Sequence, residues 1–429
     1  MHSTPAHPTV LADVTLPDGR RADVSLRDGR IAAVHDRGTG RSSERSSDRG
    51  SPTGPPTAPD RGRIELAGAL LLPALVDGHS HLDKTFLGAP WQPHTGGSSV
   101  RERVAAELDA RQRLTTPVTE RAQALVHRMV GHGTGHTRSH VDIDPHSRLA
   151  NLHALLEVRE RVGDLISLQL VAFPQSGVVS APGVPDLLDA ALRDGADLVG
   201  GLDPQGFDGD ADAQLDIVFG LAERHGVGVD LHLHDPGEAG AAQLRAIADR
   251  TAALGLGGRV TVSHAYCLGE VGGAVFARTA AVLARAGVSI LTNGPAGPMP
   301  PVLRLREAGV RVFAGSDNIR DAWWPYGTGD MLERATIIGL RSELMSDQEL
   351  HIAASLVTTE AAAALGLERY GLRPGDRADL VAVAAGGVTE AVAAHPRRLL
   401  VLHAGRVVAT NGCPVAALPT PEPGMQRAW

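Results

Sequence analysis

Eight predicted β-strands alternate with amphipathic segments through the middle of this 429-residue sequence. In 119–130, for example, apolar residues recur at i, i+3, i+4, i+7 and i+8, the stripe of a helix that packs on one face. Eight β–α units predict a TIM (β/α)8 barrel rather than a doubly wound sheet, because no predicted strand leads into a glycine-rich phosphate loop. The predicted strands are 69–76, 134–143, 165–173, 196–202, 227–234, 259–264, 287–292 and 310–315.

Both ends of the chain have the pattern of a small β domain, with short alternating strands and Asp-Gly or Ala-Gly turns. The predicted strands lie within 8–35, 64–72, 377–384 and 399–409. We therefore predict an α/β protein in which a barrel at 73–370 carries a small β-sandwich domain built from 1–72 and 371–429. Residues 36–63 have almost no apolar side chains and are predicted to be a flexible insertion.

Composition narrows the possible partners. The net charge is −8, from 41 basic and 49 acidic residues without a basic block, which argues against nucleic acid and anionic membranes. There is no apolar run long enough to span a membrane, and the N-terminus lacks the features of a signal peptide. The two cysteines are far apart, so we expect a cytoplasmic protein without a disulfide framework. The sequence leaves open whether the chain forms a homo-oligomer.

Two histidines at a spacing of two follow the first barrel strand, within Leu71–Gly88. In an extended strand, side chains two residues apart point the same way, so His79 and His81 would converge on one point. A divalent metal needs this arrangement. Two hydrogen-bonded polar residues at a strand end are the structural alternative.

Polar residues also end several of the other predicted strands. They are His140, Asp142, Asp144, Gln175, Asp230, His232, His234, His264 and Asp317. Barrel active sites lie at the carboxyl ends of the strands, where these side chains would meet. Each one alone is compatible with a hydrogen-bonded residue or a helix cap, but a buried cluster of ionisable groups is costly unless something binds it.

The stretches HSHLD, TRSHVDID, LVAFPQSG, DLHLHD, TVSHA and GSDNIRDAWWPYGTGDML together resemble the amidohydrolase superfamily, in its cytosine deaminase-like branch. The resemblance spans essentially the whole barrel. It implies four ligands for one divalent ion, Zn²⁺ or Fe²⁺: His79, His81, His232 and Asp317. It also implies that His264 lies beside the metal-bound water, that Gln175 reads the edge of the substrate ring, and that Trp323 walls the pocket, although Trp323 could simply pack.

The implied chemistry is attack of hydroxide on a ring carbon, with Asp317 as base and a second carboxyl as the proton donor. The family places that donor three residues after the strand-five histidine. Here Asp235 holds this position, and Glu238, one methylene longer and three residues further on, is the competitor. Either residue could instead cap the helix that follows.

Other departures from cytosine deaminases concern the substrate. Lys84 follows HSHLD where a neutral residue is expected, His234 adds an imidazole beside His232, and Asn318 replaces a second aspartate. Lys84 could bind the substrate or be solvated. A pocket that reads its substrate by hydrogen bonds discriminates steeply when one partner changes, so the ring need not be cytosine.

The sequence thus predicts metal-dependent hydrolytic deamination of a small, cytosine-like nitrogen heterocycle. The alternative is an amidohydrolase that cleaves a cyclic amide or an N-alkyl group of a related heterocycle. A non-catalytic barrel would be expected to have lost at least one of the predicted ligands or His264, and all of them are present.

Overall fold

A computed structural model of the chain describes residues 7–37, 62–94, 97 and 99–415. Most of the predicted insertion, 38–61, lies outside the described residues. The strands before the barrel are β1 (Val10–Thr15), β2 (Arg21–Arg27), β3 (Arg30–Asp36), β4 (Arg63–Glu65) and β5 (Leu70–Pro73). The barrel strands are β6 (Leu75–Ser80), β7 (Thr134–Asp142), β8 (Ser167–Phe173), β9 (Leu198–Leu202), β10 (Gly228–Leu233), β11 (Val260–His264), β12 (Val288–Thr292) and β13 (Val312–Ala314). The strands after the barrel are β14 (Leu380–Val383), β15 (Arg398–His403), β16 (Arg406–Thr410) and β17 (Cys413–Pro414).

Helices lie between successive barrel strands, after the last of them, and in one case between β14 and β15. They are α1 (Val100–Arg113), α2 (Val118–Gly131), α3 (Ala150–Val162), α4 (Val184–Asp194), α5 (Ala211–His225), α6 (Gly237–Ala253), α7 (Cys267–Glu270), α8 (Gly273–Ala286), α9 (Val302–Glu307), α10 (Met331–Arg341), α11 (Asp347–Leu356), α12 (Thr359–Ala364) and α13 (Val388–Ala394). The stripe predicted in 119–130 is buried in α2, which packs into the main core. Within the described residues, no helix has both the length and the apolar character that crossing a membrane requires.

The eight barrel strands are parallel and follow one another in chain order from β6 to β13, which confirms the predicted TIM barrel. The ends of this path meet where Ser80 pairs with Asp317, and the Asp317 N–H donates to the His79 carbonyl at 2.7 Å. Two glycines allow this close approach. A Cβ on Gly315 would lie 2.5 Å from the Cβ of His79, and a Cβ on Gly78 would lie 2.4 Å from the ring of Phe313.

The predicted strand 69–76 is in fact two strands in two sheets. β5 pairs with β1 and β14, whereas β6 pairs with β7 and extends to Ser80, so His79 lies inside a strand rather than after it. The apolar run is continuous across the junction at Ala74, and hydropathy alone does not mark where the chain passes between sheets. The last barrel strand is also shorter than the predicted 310–315.

Strands from both chain ends form one mixed sheet, which confirms the predicted terminal β domain. Among the described residues, its order is β17-β16-β15-β14-β5-β1-β2-β3, with β4 paired to β1. A bridge between Arg30 and Arg377 joins the outer strand to the segment before β14, so the sheet curls over a core of its own. The domain limits at residues 72 and 370 stay predictions.

Barrel closure predicts that Gly315→Ala is destabilising. The added methyl group has to displace the His79 backbone, and overpacking of this kind costs about 1–3 kcal/mol. The matched control is Gly220→Ala in α5, where a Cβ meets no described atom within 4 Å and alanine favours the helix. Thermal unfolding should show a lower Tm for Gly315→Ala and an unchanged or higher Tm for Gly220→Ala. Equal Tm values for Gly315→Ala and the parent would contradict the packing argument.

Candidate active site

The carboxyl ends of β6, β10 and β13 bring four predicted ligands together. His79 Nε2 and His81 Nε2 are 3.3 Å apart, and His232 Nε2 is 3.4 Å from His81 Nε2. Asp317 Oδ1 lies 3.2 Å from His81 Nε2 and 3.5 Å from His79 Nε2. Tetrahedral ligands about 2.1 Å from a metal are about 3.4 Å apart, so these separations match the edges of such a site.

The protonation states of the cluster also suit a cation. Burial lowers the pKa of His81, His232 and His264 well below the ordinary histidine value, so these imidazoles are neutral at pH 7. Burial opposes the charge of Asp317, but its contacts with His79 and His81 hold the pKa of this carboxyl well below the usual range. Neutral imidazole and carboxylate are the forms that bind divalent metals. The residues therefore fit a divalent ion.

Two further histidines lie next to these ligands. His264 and His140 each belong to a set of four side chains whose possible ligand atoms lie within 4.8 Å of one another. Both are buried, and their ring nitrogens find no hydrogen-bond partner among the described residues. His140 Nε2 is 3.4 Å from Asp230 Oδ1, deeper in the barrel, whereas His264 faces the open side of the cluster.

The backbone is strained where it presents two of these side chains. His264 has a φ of +73° and Asp317 a φ of +60°, values that residues other than glycine adopt at a cost. Both residues stand where a barrel strand ends and the chain turns into the loop above it. The surrounding barrel holds this conformation and directs the two side chains toward the ligand cluster.

A cavity of about 410 Å³ opens beside the cluster at the carboxyl end of the barrel. Of the predicted site residues, it is lined by His81, Lys84, Gln175, His232, His264, Asp317, Asn318 and Trp323. His79 lies behind this surface with its side chain fully buried. The structure therefore brings nearly all of the predicted site together.

The two predicted proton donors do not reach the cavity that the described residues form. Asp235 Oδ2 accepts hydrogen bonds from Gln243 Nε2 at 2.7 Å and from the Gly206 N–H at 3.0 Å. Glu238 is exposed in the first turn of α6. These contacts hold the Asp235 carboxylate away from the cavity, and the roles of Asp235 and Glu238 stay predictions.

His234 lines the cavity next to His264. Its Nδ1 lies 3.0 and 3.1 Å from the two carboxylate oxygens of Asp203, and its ring stacks on His264 with 4.4 Å between centroids. Burial lowers the pKa of His234, but the charge of Asp203 more than offsets this, so the net shift is upward. The sequence signal for this pair was an aspartate that ends the fourth barrel strand, in GLDP, where no ligand was expected.

Lys84 is the sole lysine of the sequence and is buried at the cavity wall. Its Nζ lies 2.8 Å from Gln175 Oε1, 3.2 Å from Asp142 Oδ1 and 3.4 Å from Glu107 Oε2. Because Lys84 occupies the amide oxygen, Gln175 has only its NH₂ group left, and this group has no partner in the described part of the chain. The solvated alternative for Lys84 is therefore wrong.

Helix α1 covers this side of the cavity and supplies residues that the sequence did not single out. Glu107 accepts a hydrogen bond from Trp323 Nε1 at 2.6 Å, which fixes the indole against the cavity as predicted. Arg103, one turn earlier, also lines the cavity. In the same loop as Trp323, Asn318 Nδ2 donates to Asp321 at 2.7 Å, so the Asn318 amide oxygen remains available.

Comparison with known proteins identifies the family of this chain. The model of the amidohydrolase family matches residues 63–409. The N-isopropylammelide isopropyl amidohydrolase of Pseudomonas sp. (strain ADP) is 34% identical over 366 residues, which are 83% of this chain and 90% of that protein.

Two crystal structures have the same fold. N-isopropylammelide isopropylaminohydrolase from Burkholderia multivorans superposes with a TM-score of 0.87 at 41% identity, covering 95% of this chain and 99% of that one. The 5-methylcytosine deaminase from Klebsiella pneumoniae gives 0.81 at 27% identity, covering 96% and 99%. The chain therefore belongs to the amidohydrolase family, in its cytosine deaminase-like branch, and is a hydrolase of carbon–nitrogen bonds.

Proposed function

We propose that this protein removes an exocyclic amino or alkylamino group from a small, oxo-substituted nitrogen heterocycle by metal-dependent hydrolysis. The observation that carries the proposal is a ligand cluster on the wall of a cavity that also presents hydrogen-bond donors, the unpaired NH₂ group of Gln175 and the guanidinium of Arg103. The names of the Pseudomonas and Burkholderia relatives contain N-isopropylammelide, a triazine with two oxo groups and one isopropylamino group. Its oxo groups and ring nitrogens are acceptors for such donors. Deamination of a cytosine-like ring is the same displacement with ammonia as the leaving group.

The metal would be held by His79, His81, His232 and Asp317. Imidazole and carboxylate ligands suit both Zn²⁺ and Fe²⁺, so we propose one ion of either kind per chain. When bound, such an ion lowers the pKa of a coordinated water from 15.7 toward about 7 and makes hydroxide available at neutral pH.

Recognition of the ring would come from the donors that face it. Lys84 holds the amide of Gln175 so that its NH₂ group points at the substrate, and Arg103 adds a cation on the same side. A ring carbonyl or a deprotonated ring nitrogen satisfies these donors, whereas an amino group does not. The buried NH₂ of Gln175 would otherwise stay unpaired, which costs about 1–3 kcal/mol.

The reaction exchanges the exocyclic C–N bond at a ring carbon for a C–O bond. Water gives its hydroxide to the ring carbon, and the remaining proton must reach the departing amine. We propose that Asp317 accepts this proton first. Its Oδ2 atom accepts a hydrogen bond from Asn293 Nδ2 at 2.7 Å, which orients the carboxylate. His264 would hydrogen-bond the oxygen that gains charge during attack, and His234, oriented by Asp203, would deliver the proton to the leaving nitrogen.

The substrate class is tested by amine release from a panel of rings. We expect release of isopropylamine from N-isopropylammelide and of ammonia from ammelide to exceed release of ammonia from cytosine and 5-methylcytosine, because the first two rings carry more acceptors. Mass spectrometry identifies the amine, and one purified preparation serves for all four compounds. A preference for cytosine would overturn the oxo-ring assignment, and no release from any ring would overturn the proposed function.

The Lys84 interaction predicts how this preference changes. In Lys84→Met the amide of Gln175 is free to turn, so kcat/KM for N-isopropylammelide should fall by about 10-fold or more, corresponding to one lost charged hydrogen bond. Activity on cytosine should fall less. Lys84→Arg keeps the charge and should retain part of the preference. Equal losses on both rings would indicate that Lys84 supports the fold rather than the choice of substrate.

The proton donor is tested by four variants measured side by side. His234→Gln and Asp203→Asn should lower kcat by about 100-fold or more, the usual contribution of a positioned acid. Asp235→Asn and Glu238→Gln should leave kcat close to that of the parent, because neither carboxylate reaches the cavity formed by the described residues. A large loss in Asp235→Asn with an unchanged Tm, and none in His234→Gln, would restore the original assignment.

A further inference from the structure

A buried polar network lies beneath the ligand cluster, inside the barrel. Ser263 Oγ is 2.9 Å from His79 Nδ1 and 3.1 Å from Asp230 Oδ1. Asp230 Oδ2 accepts a hydrogen bond from Arg138 Nη1 at 2.9 Å. The side chains of Ser263, Asp230 and His79 have no exposed surface, and that of Arg138 is almost fully buried.

The donors in this network can be assigned by counting protons. A hydroxyl has one proton, and Asp230 offers Ser263 only acceptor oxygens, so the Ser263 proton goes to Asp230. The Ser263 oxygen must then accept from His79, and this places the imidazole proton on Nδ1. His79 Nε2 is thereby left with a lone pair, and it is the nitrogen that faces His81 and Asp317.

Arg138 ties the network to the opposite end of the barrel. Its Nε donates to Gln169 Oε1 at 3.1 Å, and its Nη2 to the Ala364 carbonyl at 3.4 Å. The guanidinium therefore has partners on β8 and at the end of α12 as well as Asp230, and it cannot turn freely. His140 Nε2, 3.4 Å from Asp230 Oδ1, is one more group that faces this carboxylate.

We propose that Ser263 and Asp230 are positioning residues that set the affinity for the metal by fixing the tautomer and orientation of His79. The inference rests on the proposed metal site and adds to it a chain of contacts that runs from Arg138 through Asp230 and Ser263 to one ligand. Residues that orient a metal-binding histidine in this way typically change metal affinity by about 10- to 100-fold when they are removed.

The test is the affinity for Zn²⁺ alone, measured by competition with a chromophoric chelator in the absence of any substrate. Ser263→Ala should bind Zn²⁺ about 10- to 100-fold more weakly than the parent, because His79 Nδ1 loses its acceptor. Ser263→Thr keeps the hydroxyl and should restore affinity to within a few-fold. The matched control is Thr261→Val, which removes another buried hydroxyl from the same strand. Thr261 Oγ1 lies 3.4 Å from Arg138 Nη1 and does not contact His79.

Stability separates positioning from general damage. The Tm of the chelator-treated Ser263→Ala protein should stay close to that of the chelator-treated parent, while the rise in Tm on adding Zn²⁺ should be smaller. Unchanged Zn²⁺ affinity in Ser263→Ala, or an equal loss in Thr261→Val, would overturn the inference. A parent protein that binds no Zn²⁺ or Fe²⁺ would instead contradict the proposed metal site itself, so the two failures are distinguishable.

Discussion

The hydrogen bond from the Asp317 N–H to the His79 carbonyl joins the first and last strands of the barrel. The two residues are 238 positions apart in the sequence, yet this contact places a carboxylate beside the His-x-His pair. Gly78 and Gly315 permit it, because any larger residue would keep the strands apart. The contact that closes the barrel therefore also completes the ligand set, and the cavity lies beside the cluster that results.

Burial gives the site its chemical character. Burial disfavours the charged form of His81 and His232, so their imidazoles are neutral. Several ring nitrogens of the cluster then lack a hydrogen-bond partner among the described residues, which is costly. A cation removes that cost. Away from the cluster, Asp203 favours the charged form of His234, and Lys84 lies against the carboxylate of Asp142. The site thus separates a cation-binding wall from a wall that donates hydrogen bonds.

Much of this could be predicted from the sequence, because strand periodicity fixes which side chains share a face. Alternation and the barrel rule place His79, His81, His232 and Asp317 at one end of the barrel among other polar residues, and the resemblance to the amidohydrolase superfamily is what selects these four as ligands. The resemblance points to Asp235 as the proton donor by its spacing from His232, whereas the structure shows its carboxylate bonded to Gln243 and the Gly206 N–H. The sequence does not reveal Glu107, because its contact with Lys84 depends on α1 covering the cavity, and no local pattern encodes that packing. Asp203 ends a barrel strand, but its contact is with His234 rather than with a predicted ligand.

The most direct measurement is amine release as metal is returned to chelator-treated protein. With N-isopropylammelide as substrate, the rate should rise in proportion to added Zn²⁺ or Fe²⁺ and level off at one ion per chain. His81→Ala should neither retain the ion nor release amine under the same conditions, because it removes the ligand that contacts His79, His232 and Asp317. Full activity of metal-free protein, or saturation only at two ions per chain, would contradict a single-ion hydrolase.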